Sequence, residues 1–507
     1  MMSVEVSAPD SFSELMKRMS VWRVALRRAR AHPARWLSGA ALLVAVAGLP
    51  VVAASAGEVG GAGFAVARSA QASALGPAPV VHGGELPARE LLLPAGAGTG
   101  GAYPGGGLES VSCSGPQECV AVGGVWSSGG TSRAMVATET DGVWGRPVEI
   151  APRRNDGVGA TLTVSCSGGK RCVVARVAGG GVPPVGSMRV ATDTTGVWGP
   201  ASRIELPVGG TLAATGGESG PAAAPGIDAV TCTGPGDCVA VGSFYASTAR
   251  GYQAMAATET NGVWSRASEV ALPGDAMASL QEADLDAVTC TGPGDCVAIG
   301  SYYDTDAEVG AGRGFGLDQG LQLMAVTETG GVWGRARTMM LPAGVSDTLS
   351  TQVEPTAVSC TSLRDCVAVG NYETTEGSQV MAATETGGVW GQPREIMEPA
   401  GASVVVEGPM LTSVSCTSPG DCVAVGAYSS GVEAAPDVQP MIAIETSGRW
   451  ERAIEVALPA DAGTQVQLAD LQSVACATQA HCVAVGAYSS GSTPKPKPHP
   501  MVVSFAP

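Results

Sequence analysis

The fourteen cysteines have the clearest chemical potential in this chain, and they fall into seven Cys-x5-Cys pairs. The pairs are Cys113 and Cys119, Cys166 and Cys172, Cys232 and Cys238, Cys290 and Cys296, Cys360 and Cys366, Cys416 and Cys422, and Cys476 and Cys482. Paired cysteines form disulfides or bind zinc, but a zinc knuckle has a shorter spacing and only His481 accompanies a pair. The spacing therefore predicts one disulfide per pair, which is typical of proteins exported to an oxidising compartment.

Aromatic residues are the second set of candidates, and they follow the second cysteine of most pairs. They are Trp126, Phe244, Tyr245, Tyr302, Tyr303, Tyr372, Tyr428 and Tyr488. Arranged around a common axis, such rings would form a collar that stacks on sugar faces or holds peptide side chains. The alternative is that each ring covers the apolar end of its own structural unit.

An acidic stretch within residues 301–322 is the one candidate metal site. Asp304, Asp306 and Glu308 occupy alternate positions there, and hard oxygen ligands suit calcium. The stretch lacks the glycine and the distal glutamate of the usual calcium loop, so a solvated acidic loop is the alternative. We predict no other metal and no cofactor.

Few residues are available for catalysis by a nucleophile and a base. Beyond the N-terminal segment the only histidines are His82, His481 and His499, and no G-x-S-x-G, phosphate-binding or H-E-x-x-H motif occurs. We therefore assign no catalytic residue. The carboxylate pair of a glycoside hydrolase is brought together by folding rather than by spacing, so that class stays open.

The elements that position these residues form seven repeats of one unit. A methionine recurs in every copy and a tryptophan in six: Met135, Met188, Met255, Met324, Met381, Met441 and Met501, with Trp144, Trp198, Trp264, Trp333, Trp390 and Trp450. Each copy predicts four short strands rich in Val, Ala and Thr. The cysteines flank the first turn, and Asn261-Gly262 is typical of a type I′ turn between the third and fourth strands.

Four-stranded units repeated seven times predict an all-β fold, a seven-bladed β-propeller with antiparallel blades. The seventh copy stops at Pro507 after its third strand. Upstream of the first copy, residues 87–96 resemble the fourth strand of other copies, as in residues 393–401. We therefore expect this N-terminal strand to join the last blade and close the ring, with Leu91–Leu93 beside Val502–Phe505.

Charged residues that recur in most copies are predicted to be scaffold. The carboxylates are Glu139, Asp193, Glu259, Glu328, Glu385 and Glu445, and the arginines after the tryptophan are Arg146, Arg266, Arg335 and Arg452. Their spacing predicts carboxylate–arginine ion pairs across the hairpin of the third and fourth strands.

Residues 85–507 resemble secreted bacterial seven-bladed propellers whose repeat carries V-S-C-x5-C-x-A-V-G. More loosely, they resemble the kelch and sialidase (Asp-box) propellers. The turn Thr140-Asp-Gly-Val-Trp144 is one residue shorter than an Asp-box and lacks its Ser-x-Asp start. The converging arginines and the Tyr/Glu pair of a sialidase have no assignable positions here. The resemblance therefore implies the fold more than a function.

Residues 1–56 are predicted to be a signal peptide or an N-terminal membrane anchor. Five arginines (Arg23, Arg27, Arg28, Arg30 and Arg35) precede an uncharged apolar run over 36–56, which ends in Ala54-Ser55-Ala56. An uncleaved run of this length would just span a bilayer. A start at Met19 would give a signal of usual length. Residues 57–84 are an Ala/Gly-rich linker before the propeller of residues 85–507.

These features predict an exported binding module. The connections between the second and third strands, and the linkers between repeats, should emerge on one loop-rich face, where binding usually resides. The expected partner is an extracellular glycan or protein, bound by a monomer. In residues 57–507, 43 acidic residues face 22 basic ones, which argues against nucleic acid. The alternatives are a glycoside hydrolase or lyase with acidic residues in the axial pocket, and a structural cell-envelope protein.

Overall fold

The structure is a computed structural model, and it describes part of the 507 residues. The described residues are 86–94, 105–126, 132–149, 161–167, 171–177, 189–193, 202–211, 226–234, 236–247, 251–278, 283–304, 321–345, 353–375, 377–403, 408–432, 435–463, 467–490 and 497–507. They contain strands and turns but no helix, and hence no helix that could cross a membrane. The predicted export segment (1–56) and linker (57–84) lie outside them.

The described strands confirm the all-β class and form seven small sheets, numbered here in chain order. Two short strands, β1 (Leu86–Pro87) and β2 (Arg89–Glu90), precede them. Sheet 1 contains β3 (Gly105–Gly115), β4 (Glu118–Trp126), β5 (Ser132–Thr140), β6 (Val143–Trp144) and β7 (Val148–Glu149). Sheet 2 contains β8 (Thr161–Ser167), β9 (Arg171–Val177), β10 (Arg189–Asp193) and β11 (Ser202–Arg203). Sheet 3 contains β12 (Ile227–Gly234), β13 (Asp237–Ser247), β14 (Gly251–Thr260), β15 (Val263–Trp264) and β16 (Ser268–Glu269).

The remaining sheets repeat this plan. Sheet 4 contains β17 (Asp284–Gly292), β18 (Asp295–Tyr303), β19 (Leu321–Thr329), β20 (Val332–Trp333) and β21 (Arg337–Thr338). Sheet 5 contains β22 (Val353–Ser362), β23 (Asp365–Thr374), β24 (Gly377–Thr386), β25 (Val389–Trp390) and β26 (Arg394–Glu395). Sheet 6 contains β27 (Met410–Ser418), β28 (Asp421–Val432), β29 (Ala435–Thr446), β30 (Arg449–Trp450) and β31 (Ile454–Ala457), and sheet 7 contains β32 (Ala469–Thr478), β33 (His481–Ser490) and β34 (Lys497–Phe505).

The hydrophobic core lies between neighbouring sheets. In β13, Val239 and Val241 pack with Ala298 of sheet 4, whereas Ala240 between them packs with Val173 of sheet 2. Because successive side chains of a strand point to opposite faces, a continuous apolar run is what a strand buried on both faces requires. The apolar run after the second cysteine of sheet 3 therefore packs this sheet against both of its neighbours.

In six sheets a glycine follows the apolar run of the second strand and permits a β-bulge in the adjacent strand. In sheet 4 the pairing of β17 with β18 shifts by one residue between Leu285 and Ala287. The bulge brings the chain so close that a Cβ on Gly300 would lie 1.9 Å from the carbonyl oxygen of Asp284. Only glycine fits such an approach of two backbones. The same close approach recurs at Gly123, Gly242, Gly370, Gly426 and Gly486.

The serine of the V-S-C motif joins one sheet to the next. Among the described residues, the first strand of each sheet has an edge with no strand beside it. In sheets 2, 3, 6 and 7, amides of this strand donate hydrogen bonds to serine hydroxyls of the preceding sheet. Cys476 N donates to Ser415 Oγ at 3.0 Å, and Cys416 N donates to Ser359 Oγ at 2.9 Å. The last sheet has Ala475 at the V-S-C position, and a serine two residues before it links this sheet to the first, because Val111 N donates to Ser473 Oγ at 3.1 Å.

The N-terminal strands pair with the last two sheets. Strand β2 is antiparallel to β34, with Arg89 opposite Val502, while β1 runs parallel to β31 of sheet 6. Leu91 N then donates to the carbonyl oxygen of Pro500 at 2.9 Å. Sheet 7 thus contains a short strand from the beginning of the described chain.

All seven predicted disulfides are present. Each joins residues that are direct partners across the first two strands of a sheet, as in Cys232 and Cys238, with Cα atoms 4.0 Å apart. The seven bonds are Cys113–Cys119, Cys166–Cys172, Cys232–Cys238, Cys290–Cys296, Cys360–Cys366, Cys416–Cys422 and Cys476–Cys482. They lie at the tight-turn end of the sheets.

Candidate binding face

The two ends of the sheets are built differently. At the end that carries the disulfides, the turn after the first strand is bonded to the turn after the third strand. In sheet 3, Gly262 N donates to the carbonyl oxygen of Gly236 at 3.0 Å, and Gly331 N donates to that of Gly294 in sheet 4 at 2.9 Å. Asn261 has a φ of 53°, as the predicted type I′ turn requires. We call this end the stapled end.

At the opposite end lie the connections between second and third strands and the linkers between sheets. We call this the loop-rich end. Here the linker after sheet 3 turns at a proline, with Ala276 N donating to the carbonyl oxygen of Pro273 at 3.2 Å. Met277 N then donates to the carbonyl oxygen of Tyr303 at 3.0 Å, which ties the linker to sheet 4. Similar bonds hold the linkers before sheets 3, 6 and 7.

Tyrosine hydroxyls anchor these linkers from inside the protein. Tyr302 is 0% exposed, and its hydroxyl donates to Asp275 Oδ1 at 3.0 Å while lying 2.6 Å from Thr338 Oγ1. In the last linker, the Tyr488 hydroxyl donates to Asp461 Oδ1 at 2.9 Å. Asp275 and Asp461 each stand two residues after a proline. A Pro-x-Asp pattern in the linkers was therefore a sequence signal for these partners.

Seven of the eight candidate collar residues are buried. Phe244, Tyr245, Tyr303, Tyr372 and Tyr428 are buried, as are Tyr302 and Tyr488. Trp126 ends β4, but its side chain lies outside the described residues. The sequence analysis expected these rings to form a collar that contacts a ligand, whereas the seven described rings are buried. Their burial matches the alternative, in which each ring covers the apolar end of its sheet.

Burial also fixes the ionisation of these phenols. It raises the pKa of Tyr302, and the neighbouring Asp275 carboxylate disfavours the phenolate further. Burial and the Glu455 carboxylate, which accepts from the Tyr428 hydroxyl at 2.6 Å, likewise raise the pKa of Tyr428. Both phenols therefore remain protonated hydrogen-bond donors at neutral pH.

Of the three predicted calcium ligands, the structure describes only Asp304. Asp304 is buried, and its Oδ2 accepts a hydrogen bond from Gln322 Nε2 at 2.9 Å. Asp306 and Glu308 lie outside the described residues. Calcium binding at this stretch stays a prediction.

The recurring arginines bond to the neighbouring linker, so the prediction of Arg–Glu ion pairs is corrected. Arg335 Nη1 donates to the carbonyl oxygen of Leu272 at 2.6 Å, and Arg452 Nη1 donates to that of Glu398 at 2.7 Å. Arg146 and Arg266 make the same kind of bond to Leu93 and Leu206, and Arg266 also pairs with Glu205. Each arginine thus reaches back to the chain that leaves the preceding sheet. The repeat pattern predicts contacts within one hairpin. It does not show that the arginine bonds to the linker of the preceding repeat.

The recurring glutamates are instead buried within their sheets. Glu139, Glu259, Glu328, Glu385 and Glu445 are all buried, and burial is the main cause that raises the pKa of each. For Glu139 burial raises the pKa to about 7. Asp193 belongs to β10, but its side chain lies outside the described residues. These carboxyls lie near the stapled end, where each described one stands opposite tryptophan, as Glu259 does with Trp264.

No protein-family model matches this chain, and no curated protein matches it either. Solved structures with a similar fold include the BP39L lectin of Burkholderia pseudomallei, with 14% identity and a TM-score of 0.44 over 78% of this chain and 99% of that chain. A protein of unknown function from Dyadobacter fermentans has 12% identity and a TM-score of 0.42 over 82% of this chain and 99% of that one. An alpha-L-arabinanase from Penicillium chrysogenum has 11% identity and a TM-score of 0.36 over 66% of this chain and 89% of that one.

Proposed function

We propose that the seven sheets are the blades of one closed seven-bladed propeller, which serves as an exported binding protein. Two contacts support closure of the ring: Ser473 of sheet 7 accepts a hydrogen bond from Val111 of sheet 1, and β2 pairs with β34. The arginine bonds add a third. Arg146 of sheet 1 holds Leu93 after β2 in the way that Arg335 of sheet 4 holds Leu272 after sheet 3.

The ligand contacts the loop-rich end, and it is an extracellular glycan or protein. The single observation that carries this proposal is the difference between the two ends. The stapled end repeats the same disulfide and the same turn, while the loop-rich end carries linkers and hairpins that vary from sheet to sheet. Loops held on a rigid frame are where binding residues concentrate.

The frame at the loop-rich end is rigid enough to hold a binding surface in one shape. The described linker turns before sheets 3, 4, 6 and 7 are bonded to the next sheet, and in the linker before sheet 4 a buried phenol also holds Asp275. The turn apexes then face solvent, as Val208, Ala343, Ala400 and Ala460 do. A preorganised surface loses less conformational entropy when it binds a partner.

Export agrees with the chemistry of the cysteines. Seven disulfides within one chain are typical of an oxidising, extracytoplasmic compartment. The signal or anchor proposed for residues 1–56 would deliver the chain there. Disulfides also add stability to a core of small Ala, Val and Gly side chains, each of which buries little apolar area.

Glycan arrays and pulldowns with extracellular proteins test the proposal on matched triple variants. One variant carries Ala343→Lys, Ala400→Lys and Ala460→Lys at exposed apexes of the loop-rich end. The control carries Val263→Lys, Val332→Lys and Val389→Lys at the stapled end, where each valine is 71% exposed. Both variants add the same charge at exposed positions, one at each end of the sheets.

We expect the apex variant to lose at least about tenfold in affinity, which corresponds to about 1.4 kcal/mol, while the control binds like the wild type. Equal binding by both variants, or loss in the control alone, contradicts a site at the loop-rich end. Release of reducing sugars from a bound glycan by the wild type would instead favour the glycoside hydrolase alternative. Wild-type protein that binds neither class contradicts the binding function.

A further inference from the structure

Glu139 and His481 meet at the contact between the first and last sheets. Glu139 is the last residue but one of the third strand of sheet 1 and is 2% exposed, and His481 begins the second strand of sheet 7 and is 8% exposed. In sheets 3 to 6 the residue equivalent to His481, directly before the second cysteine, is an aspartate. The histidine therefore makes this contact chemically different from the others.

Two buried polar atoms at this contact have no hydrogen-bond partner. They are Glu139 Oε2 and His481 Nδ1. A carboxylate oxygen of Glu139, a ring nitrogen of His481 and Cys119 Sγ all lie within 4.8 Å of one another. Among the described residues, this is the one group of three such side chains at that distance. A buried polar atom without a partner carries a large desolvation cost, which a bound cation would remove.

Thiolate, imidazole and carboxylate are the three ligand types that zinc uses in proteins. In the disulfide with Cys113, however, the Cys119 sulfur carries no charge and is a poor ligand. We propose that opening the Cys113–Cys119 disulfide creates a zinc site, in which Cys119, Glu139 and His481 bind one Zn²⁺ ion. The metal would then join sheet 1 to sheet 7 where the disulfide had only closed a turn within sheet 1.

The reductant in this step is an external dithiol. Its first thiolate attacks Cys113 Sγ, because Cys113 is partly exposed whereas Cys119 is buried. The S–S bond breaks, Cys119 leaves as a thiolate, and a mixed disulfide forms on Cys113. The second thiol of the reductant then displaces Cys113, so that the reductant is oxidised by two electrons and the protein pair is reduced. Zn²⁺ binds the Cys119 thiolate, and the thiol protons pass to solvent.

A single substitution opens the site without any reductant. Cys113→Ser leaves Cys119 as a free thiol beside Glu139 and His481, while the other six disulfides stay intact. The matched control is Cys416→Ser, which frees Cys422 opposite the buried Glu445, where the residue of the preceding sheet equivalent to His481 is Asp365. Co²⁺ is the probe, because thiolate ligation gives it an intense near-ultraviolet absorption band, and Zn²⁺ then displaces it.

We expect C113S to bind one Co²⁺ per chain with the thiolate band, and Zn²⁺ to abolish that band. The oxidised wild type, C416S, and the double variants C113S/H481D and C113S/E139Q should all lack it. A C113S protein with wild-type circular dichroism and no band overturns the proposal, and so does an equal band in C416S.

Limited reduction of the wild type gives a second readout that does not depend on C113S folding. After brief dithiol treatment, alkylation is followed residue by residue by mass spectrometry with and without Zn²⁺. We expect Zn²⁺ to protect Cys119 from alkylation and to leave Cys422 unprotected. Equal alkylation of Cys119 with and without Zn²⁺ overturns the proposal.

Discussion

The carboxylate of Glu90 lies 2.7 Å from Nδ1 of His499, although 409 residues separate the two in the chain. The contact exists because β2 pairs with β34, so that a strand from the start of the described chain completes the last sheet. Neither end of the chain could fold into this arrangement alone. The stability of the whole domain should therefore depend on the segment that contains β1 and β2.

Leu91 and Leu92 allow that dependence to be measured with adjacent residues. Leu91 is 8% exposed and packs with Leu108 and Val502, whereas Leu92 is 62% exposed. We expect Leu91→Ala to lower the free energy of unfolding by about 2–5 kcal/mol, because it leaves a cavity between sheets 7 and 1. Leu92→Ala should change it by less than about 0.5 kcal/mol. Urea unfolding with the disulfides intact measures both, and equal effects would show that the segment does not pack there.

The bulge glycines should be intolerant of any side chain. Gly300→Ala places a Cβ 1.9 Å from a backbone oxygen, so the two strands must move apart. We expect a loss of about 3 kcal/mol or more in the free energy of unfolding. Gly274→Ala is the control, because a Cβ at that linker position meets nothing within 4 Å. A Gly300→Ala protein as stable as the control would contradict the bulge.

The hydroxyl of Tyr302 should stabilise the linker before sheet 4. Tyr302→Phe removes the bonds to Asp275 and Thr338 but keeps the buried ring. We expect a loss of about 1.5–3 kcal/mol in the free energy of unfolding, since one partner is charged. A double-mutant cycle of Tyr302→Phe with Asp275→Ala should give a coupling energy of at least about 0.5 kcal/mol. Additive losses would mean that the two side chains do not interact.

Buried Glu139 should make stability fall as the pH rises. Burial raises its pKa from 4.5 to about 7. Between these two pH values the carboxyl therefore keeps its proton in the folded protein and has released it in the unfolded chain. The stabilisation is fully present below pH 4.5 and is lost as the pH rises through about 7. We expect Glu139→Gln to flatten this part of the melting-temperature profile between pH 5 and 8, relative to wild type. Exposed Glu451→Gln is the control, and an unchanged profile in Glu139→Gln would contradict a protonated buried carboxyl.

The sequence predicted what lies within one repeat. Cys232 and Cys238 are direct cross-strand partners, and Asn261-Gly262 forms the expected turn, because both depend on residues close in the chain. The pairing of β2 with β34 could be anticipated only because residues 87–96 resemble another repeat's fourth strand.

Contacts between repeats were not predictable from spacing. Arg335 was expected to pair with Glu328 on its own hairpin, yet it bonds to Leu272 of the linker before it. A repeated arginine has the same local neighbours whether its partner lies in its own repeat or the preceding one. The burial of Tyr302 beneath a linker has the same origin, since its partner Asp275 lies before the repeat that contains it.

A cross-link between the two ends tests the closed ring most directly. Arg89→Cys with Val502→Cys places two thiols on residues that are direct partners in β2 and β34. The control pairs Arg89→Cys with Val332→Cys, an exposed position in sheet 4. We predict an eighth disulfide between residues 89 and 502 in mass-spectrometric peptide maps of the folded protein, and none between 89 and 332. Two free thiols at 89 and 502, in a protein whose seven native disulfides have formed, would contradict the ring.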